Sequence, residues 1–478
     1  MTVLLKKSSR LKEKKNNLFK LNKFMREKSF GSVLLYLSVS FPVFFALFVF
    51  LTGNVNYPQA TIESYKYIEI AKYWIDQNST SWVYESVVQR LPLYPVFIYL
   101  IFEIFGFNNL IALIFFQAIL GSLTIYMTIK ILELLNLSKN LLVVFSIFFN
   151  FHIFYRFSVF LPNAFFLFFS TTLIFYFTKF FFYEKKKTYL LLLSISIIAL
   201  LLVRPVFQLS IFLIIPFLIF LIFKKTFFKK KIKFLFSIFL VVSYFLGLFV
   251  QMIRNYNEFD RFSYTIQTGG HLLYVVTALN ISEKSSCGDM DPEMMVRMQK
   301  ELENRKFKLF TEKENDLVSL NRIKITIAKE FLFNEIKFNE AFQSIFCAYF
   351  KTFFHPSPSA IYQAFGLSLD GFSVTDGENF IEKSQNFLFN SLKNTKNFFW
   401  LTCFFFLCCM RFLQIYGIVH GLFFSENRLY FWFLFIVFLT VIAPIVGMSS
   451  LRFRTEVESI LIIFGALGID NIINKIKL

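Results

Sequence analysis

Long apolar runs separated by short lysine-rich breaks set the pattern of this chain. Stretches 34–52, 110–128, 189–203, 206–223 and 234–253 are almost without charge, and roughly 20 apolar residues suffice to cross a bilayer as a helix. Further runs at 139–155, 160–181, 397–421, 428–447 and 457–474 raise the expectation to about ten membrane-spanning helices. The segment 92–106 is shorter and carries Pro92, Pro95 and Glu103, so it reads as an interfacial or re-entrant helix on the outer face. In TIESYKYIEIAKYW, Tyr67, Ile70, Ala71 and Trp74 recur at three- and four-residue spacing, the pattern of an amphipathic helix lying on the membrane. The expected fold is therefore an all-α polytopic membrane protein with added interfacial helices on its outer face.

Charge orients this arrangement. Basic residues from Lys6 to Lys28 precede the first span, and Lys185 to Lys187, Lys224 to Lys233, Lys475 and Lys477 fall in short breaks or at the end. Lysine and arginine accumulate in cytoplasmic loops, so both termini are expected inside. Four crossings over 92–181 would leave Lys185 to Lys187 outside, and treating 92–106 as non-crossing restores the parity. The resulting organisation is a basic arm (1–30), a transmembrane module (31–253) with a first external loop (54–108), an extracytoplasmic helical region (254–396) and C-terminal spans (397–478). Within the external region, 293–309 and 320–352 read as amphipathic helices, and Pro356 and Pro358 mark a break before the next span.

Composition agrees with a membrane setting and removes other classes. The chain of 478 residues is 56% hydrophobic, with mean hydropathy +0.58. Its 73 phenylalanines read as compositional bias rather than as a dedicated aromatic groove. The formal charge of +19 suggests nucleic acid only until its distribution is seen, because the lysines sit in loops between spans. The five cysteines have no metal-ligand spacing and no cofactor is expected, a divalent metal being compatible but not indicated; only Cys287 and Cys347 share the external region, where a disulfide could form.

Polar chemistry collects on the outer side. Arg90, Arg156, Arg204, Arg254, Arg452 and Arg454 fall at outer ends of separate segments, against the positive-inside trend. They suit either convergence on an anionic ligand, which the guanidinium fork matches well, or interfacial anchoring. Glu63 and Glu69 lie on the first external segment, whereas Arg411 reads as a cytoplasmic-side anchor of a long span. His355 ahead of Pro356 reads as structural, and the sequon at Asn78 is short enough to arise by chance.

The ordered set of these residues resembles the GT-C membrane glycosyltransferases of the protein mannosyltransferase and aminoarabinose transferase type. It comprises Glu63, Tyr67 four residues later, Ile70-Ala71, then Arg90-Leu91-Pro92-Leu93-Tyr94-Pro95, Leu202-Val203-Arg204-Pro205, Arg254-Asn255-Tyr256 with Phe259 and Gly269-Gly270, and Arg452-Phe453-Arg454. The resemblance implies transfer of a sugar from a polyprenyl-phosphate donor to a lipid, glycan or protein acceptor at the extracytoplasmic face of the cell membrane. It makes Glu63 the catalytic base and assigns substrate binding to Tyr67, Arg90, Tyr94, Arg204, Arg254 and Arg452. Two positions depart from the family pattern: Glu63 stands where Asp is usual, and Asn163 where another acid is frequent, which argues against a carboxylate-bound metal. A lipid-linked-sugar flippase or transporter, or an inactive sugar-lipid binding protein, are the alternative readings.

Overall fold

A computed structural model describes residues 30–51, 62–76, 90–137, 162–183, 187–210, 212, 214, 216–217, 230–259, 262, 268–280, 291–310, 317–354, 395–442 and 451–476. Among them there are fourteen α-helices and no strand. We number the helices α1 (Phe30–Leu51), α2 (Ile62–Asp76), α3 (Leu93–Phe105), α4 (Leu110–Leu134), α5 (Asn163–Phe182), α6 (Lys187–Val203), α7 (Lys230–Phe259), α8 (Thr268–Leu279), α9 (Pro292–Phe310), α10 (Leu317–Asn334), α11 (Phe338–Phe354), α12 (Thr395–Val419), α13 (Arg428–Ile442) and α14 (Leu451–Ile476).

Among the described residues, four helical stretches are long and apolar enough to cross a membrane: Leu110–Leu134, Asn163–Phe182, Ile238–Asn257 and Phe405–Phe424. Leu34–Phe48, Leu93–Phe105, Lys187–Val203 and Arg428–Ile442 are shorter apolar helices. Two of the shorter helices end for local reasons. Arg204-Pro205 ends α6 and passes into a 3-10 turn, Pro205–Leu209, because proline has no N–H to continue the ladder. Gly106, at φ 102°, ends α3 in a conformation that side-chain-bearing residues rarely adopt. The expected span 139–155 and most of 206–223 lie outside the described residues.

Relative helix directions follow from paired contacts. Met127 and Leu134 of α4 meet Thr172 and Tyr183 near α5, so these helices run parallel. The same holds for α6 and α7, through Ser194 with Phe239 and Leu201 with Gly247. It holds again for α12 and α14, through Arg411 with Glu458 and Tyr416 with Asn471.

The core is one apolar cluster running through α1, α3–α7, α12, α13 and α14, with α14 packed against α4, α5, α11, α12 and α13. Where α12 meets α14 the backbones touch. A Cβ at Gly417 would collide with the Phe464 carbonyl, one at Gly468 with the Leu413 carbonyl, and one at Gly421 would lie 2.9 Å from the Phe431 ring. Gly417 and Gly421 thus form a small-xxx-small seam, the device that allows membrane helices close approach. Gly417→Leu is expected to destabilise the bundle by about 3 kcal/mol, the upper end of ordinary overpacking, because the obstacle is backbone and cannot rotate away. Thermal unfolding in one detergent, compared with exposed Val419→Leu, checks this.

Helices α8 to α10 form a satellite unit around Val276, Met294, Met298, Ile327 and Ala328, with α11 packed beside α8. Asp291 caps α9, its Oδ1 accepting from the Glu293 N–H at 3.0 Å, with Pro292 at the first helical position. The expected single amphipathic helix over 320–352 is instead two, α10 and α11. Ile336, between them, folds back onto this cluster. Arg305 joins Glu301 and Glu330 at 2.7 Å each, and its hydrogen bond holds the Glu330 carboxyl below its ordinary value. Cys347 is disulfide-bonded; Cys287 lies outside the described residues.

Candidate functional site

Helix α2 is amphipathic as its spacing predicts: Tyr67, Ile68, Ile70, Ala71 and Trp74 are buried, while Glu69 is exposed. Its buried face lies on α3, with Tyr67 edge-on to Tyr94 at 5.2 Å and Trp74 edge-on to Tyr99 at 6.1 Å. Glu63 is in the first turn of this helix, one turn before Tyr67, and is described as backbone only.

Four of the candidate residues meet at the α2–α3 junction. The Arg90 guanidinium stands over the Tyr67 ring at 5.0 Å, a cation–π contact. Arg254, near the end of α7, donates from Nη1 to the Arg90 carbonyl at 3.3 Å and to Gln251 Oε1 at 3.2 Å. The Tyr94 hydroxyl donates to Gln117 Oε1 of α4 at 2.6 Å, fixing the ring against which Tyr67 rests. Arg90 Nε is buried and donates to no acceptor among the described residues. Tyr67, Arg90, Tyr94 and Arg254, drawn from three separate stretches of sequence, are therefore one constellation.

A second polar layer adjoins it and is centred on the first turns of α14. Tyr94 packs on Phe165 at 5.5 Å, and Asn163, two residues before Phe165, donates to Glu456 Oε1 at 2.6 Å. Arg204 forms an ion pair with the same carboxylate. Two residues on, Glu458 bridges Arg411 at 2.8 Å and Arg454 at 3.0 Å. Arg411 also donates to Gln414 Oε1 at 2.5 Å and to the Phe353 carbonyl at 3.0 Å. Ser459 then closes the layer, accepting from Thr128 at 3.1 Å and from Thr171 at 2.8 Å.

This layer corrects two expectations. Arg411 does not anchor an exposed helix end: it is 3% exposed and paired with Glu458, because α12 packs along the first turns of α14. Glu456 and Glu458 are likewise buried among apolar helices. The last helix begins at Leu451 rather than near 457, so Arg452-Phe453-Arg454 belongs to it.

Arg204 and Arg254 therefore reach the two connected clusters, and Arg452 is described as backbone only, one residue from Phe453-Arg454. Arg156 and His355 lie outside the described residues. Glu456, Glu458 and Gln117 are the residues that sequence reading missed. The available signal was two carboxylates two residues apart, right after Arg452 and Arg454, at the start of an otherwise apolar run. Among the described residues no group of three or more His, Cys, Asp or Glu could hold a metal ion.

The arrangement offers cationic and aromatic groups around a helix start that bears an acid. The α14 layer joins Arg204, Arg411 and Arg454 to Glu456 and Glu458, and Arg90 and Arg254 stand beside it. Guanidinium groups gathered in this way match the geometry of carboxylate and phosphate oxygens. Compared with protein-family models, curated proteins and solved structures, the chain matches none.

Proposed function

We propose that the protein is a GT-C-type glycosyltransferase that moves a sugar from a polyprenyl-phosphate donor to an acceptor at the outer face of the membrane. One observation carries this reading: Tyr67, Arg90, Tyr94 and Arg254 meet directly after the helix turn that bears Glu63. In transfer from such a donor, the acceptor loses a proton as its nucleophile attacks the sugar C1, and the lipid phosphate leaves with the glycosidic bonding pair. A carboxylate is a competent base for the first event. Fixed guanidinium groups stabilise the charge that grows on the phosphate. Glu63 is the base in this reading, and Arg90, whose buried Nε has no acceptor among the described residues, is the first candidate for the phosphate.

Glu456 holds the arginine side of the site: its Oε1 accepts from Asn163 and pairs with Arg204, while its buried Oε2 has no hydrogen-bond partner among the described residues.

The buried Arg411–Glu458–Arg454 set favours a second reading, transport of a lipid-linked sugar, since ionisable residues inside a helix bundle mark substrate and ion paths. Purified protein in nanodiscs, given radiolabelled polyprenyl-phosphate sugars and a panel of lipid, glycan and peptide acceptors, separates the two. Transfer of label is expected. Donor binding without transfer to any acceptor, together with donor translocation in proteoliposomes, would overturn the enzyme reading in favour of transport.

A further inference from the structure

Helix α11 exposes a line of aromatic rings that no described element covers. Phe338, Phe342, Phe346 and Phe350 follow one another at four-residue spacing and are 87%, 65%, 63% and 52% exposed. Phe346 stacks on Phe350 at 6.5 Å, and Phe350 on Phe354 at 4.7 Å, so the rings form a continuous ridge. Ser344, Ala348 and Thr352, on the opposite side, are buried. The ridge spans about 18 Å at the rise of an α-helix. An apolar strip of that length on a helix outside the membrane-spanning set calls for an apolar neighbour.

The contacts of α11 say which one. Its Tyr349 hydroxyl donates to the carbonyl of Ile442, the last residue of the apolar helix α13, at 3.2 Å. The Phe353 ring lies 5.7 Å from Phe438 of the same helix. The Phe353 carbonyl accepts from Arg411, which in turn holds Glu458 in the first turns of α14. The C-terminal half of α11 is thus tied to the ends of apolar helices, at the level where α14 begins. A helix held at that depth, with its outward face lined by phenylalanine, has the arrangement of an interfacial helix, whose apolar side enters the headgroup–acyl boundary by about 5–10 Å.

We propose that α11 lies in the outer membrane–water interface and inserts the Phe338–Phe342–Phe346–Phe350 ridge into the outer leaflet. The occupant of this face is the acyl region of the bilayer. The inference requires the chain to be in a membrane but is independent of the transfer reaction. Its consequence is that the helical unit α8 to α10 is pinned to the bilayer surface through α11, to which Ser344 joins it by donating to the Ala278 carbonyl.

Tryptophan quenching tests it. Phe346→Trp and, separately, Phe350→Trp are reconstituted in nanodiscs with lipids brominated on their acyl chains, and the emission added over the parent protein, which has 4 tryptophans, is followed. Val296→Trp, on α9 at a position 67% exposed, is the aqueous control. Loss of most of the added emission with brominated lipid and protection from acrylamide are expected at 346 and 350, and the reverse at 296. Acrylamide quenching without bromolipid quenching at 346 and 350 overturns the proposal, since the ridge would then face water. Resistance to both quenchers also overturns it, since protein, from this chain or another, would then cover the ridge. Monodisperse elution of each variant establishes that the folded protein is being read.

Discussion

Glu458→Ala is expected to be among the most damaging single substitutions in the membrane region, costing about 3–5 kcal/mol. That is the range for removing one partner of a buried ion pair and leaving the other charge without compensation. Glu458 is completely buried and its Oε1 serves both Arg411 and Arg454, so its loss strands two guanidinium groups at once. The same geometry predicts an asymmetry. Arg411→Met removes one of two cations and leaves the Glu458–Arg454 pair intact, with a flexible apolar side chain in place of the lost one. It should therefore cost clearly less than Glu458→Ala, although both delete a member of one salt bridge. Thermal unfolding in a single detergent, followed by size-exclusion of the heated samples, ranks the two. If Arg411→Met proves as harmful as Glu458→Ala, the trio is not a charge cluster balanced on one carboxylate.

Much of this layer escaped the sequence for a physical reason. Hydropathy reports where apolar residues cluster, so it located α4, α5, α7 and α12 well, and period-3.6 spacing identified the buried face of α2 residue by residue. Neither signal reports which ends of distant helices share a depth. Arg411 looked like an isolated charge within one apolar run because its partner, Glu458, is 47 positions away on a parallel helix. Arg204 and Glu456 are further apart still, and only the packing of α5, α6 and α14 joins them. By contrast, Arg90, Tyr67, Tyr94 and Arg254 were legible as members of one site because ordered motifs gave a reason to group them. The contact that unites them, Arg254 to the Arg90 backbone carbonyl, has no sequence signature at all, since any residue at position 90 would present that carbonyl. The break between α10 and α11 was invisible for a related reason. No glycine or proline marks it, and only the burial of Ile336 against the satellite cluster turns the chain.

Glu63→Gln is expected to reduce sugar transfer by roughly 10²–10⁴-fold while leaving donor binding intact, the span typical of removing a positioned general base. Glutamine keeps the shape and hydrogen-bonding reach of the side chain but cannot take the acceptor's proton. The donor's phosphate would still meet Arg90 and Arg254, whose contacts with Tyr67, Gln251 and each other do not pass through Glu63. Binding and chemistry should therefore separate in this variant, which a merely structural role for Glu63 would not allow. Glu63→Asp supplies the complementary measurement. It retains the base and shortens the arm by one methylene, and displacement of a reacting group by about 1 Å can cost up to about a hundredfold. The ordering wild type, then Asp, then Gln in kcat, at unchanged donor affinity, follows from a carboxylate that acts by proton transfer from a fixed helix turn. Retention of more than about a tenth of the rate by Glu63→Gln would remove Glu63 from that role. Loss of donor binding together with the rate would instead make it part of the binding surface, and the search for a base would move to Glu69, the exposed carboxylate on the same helix.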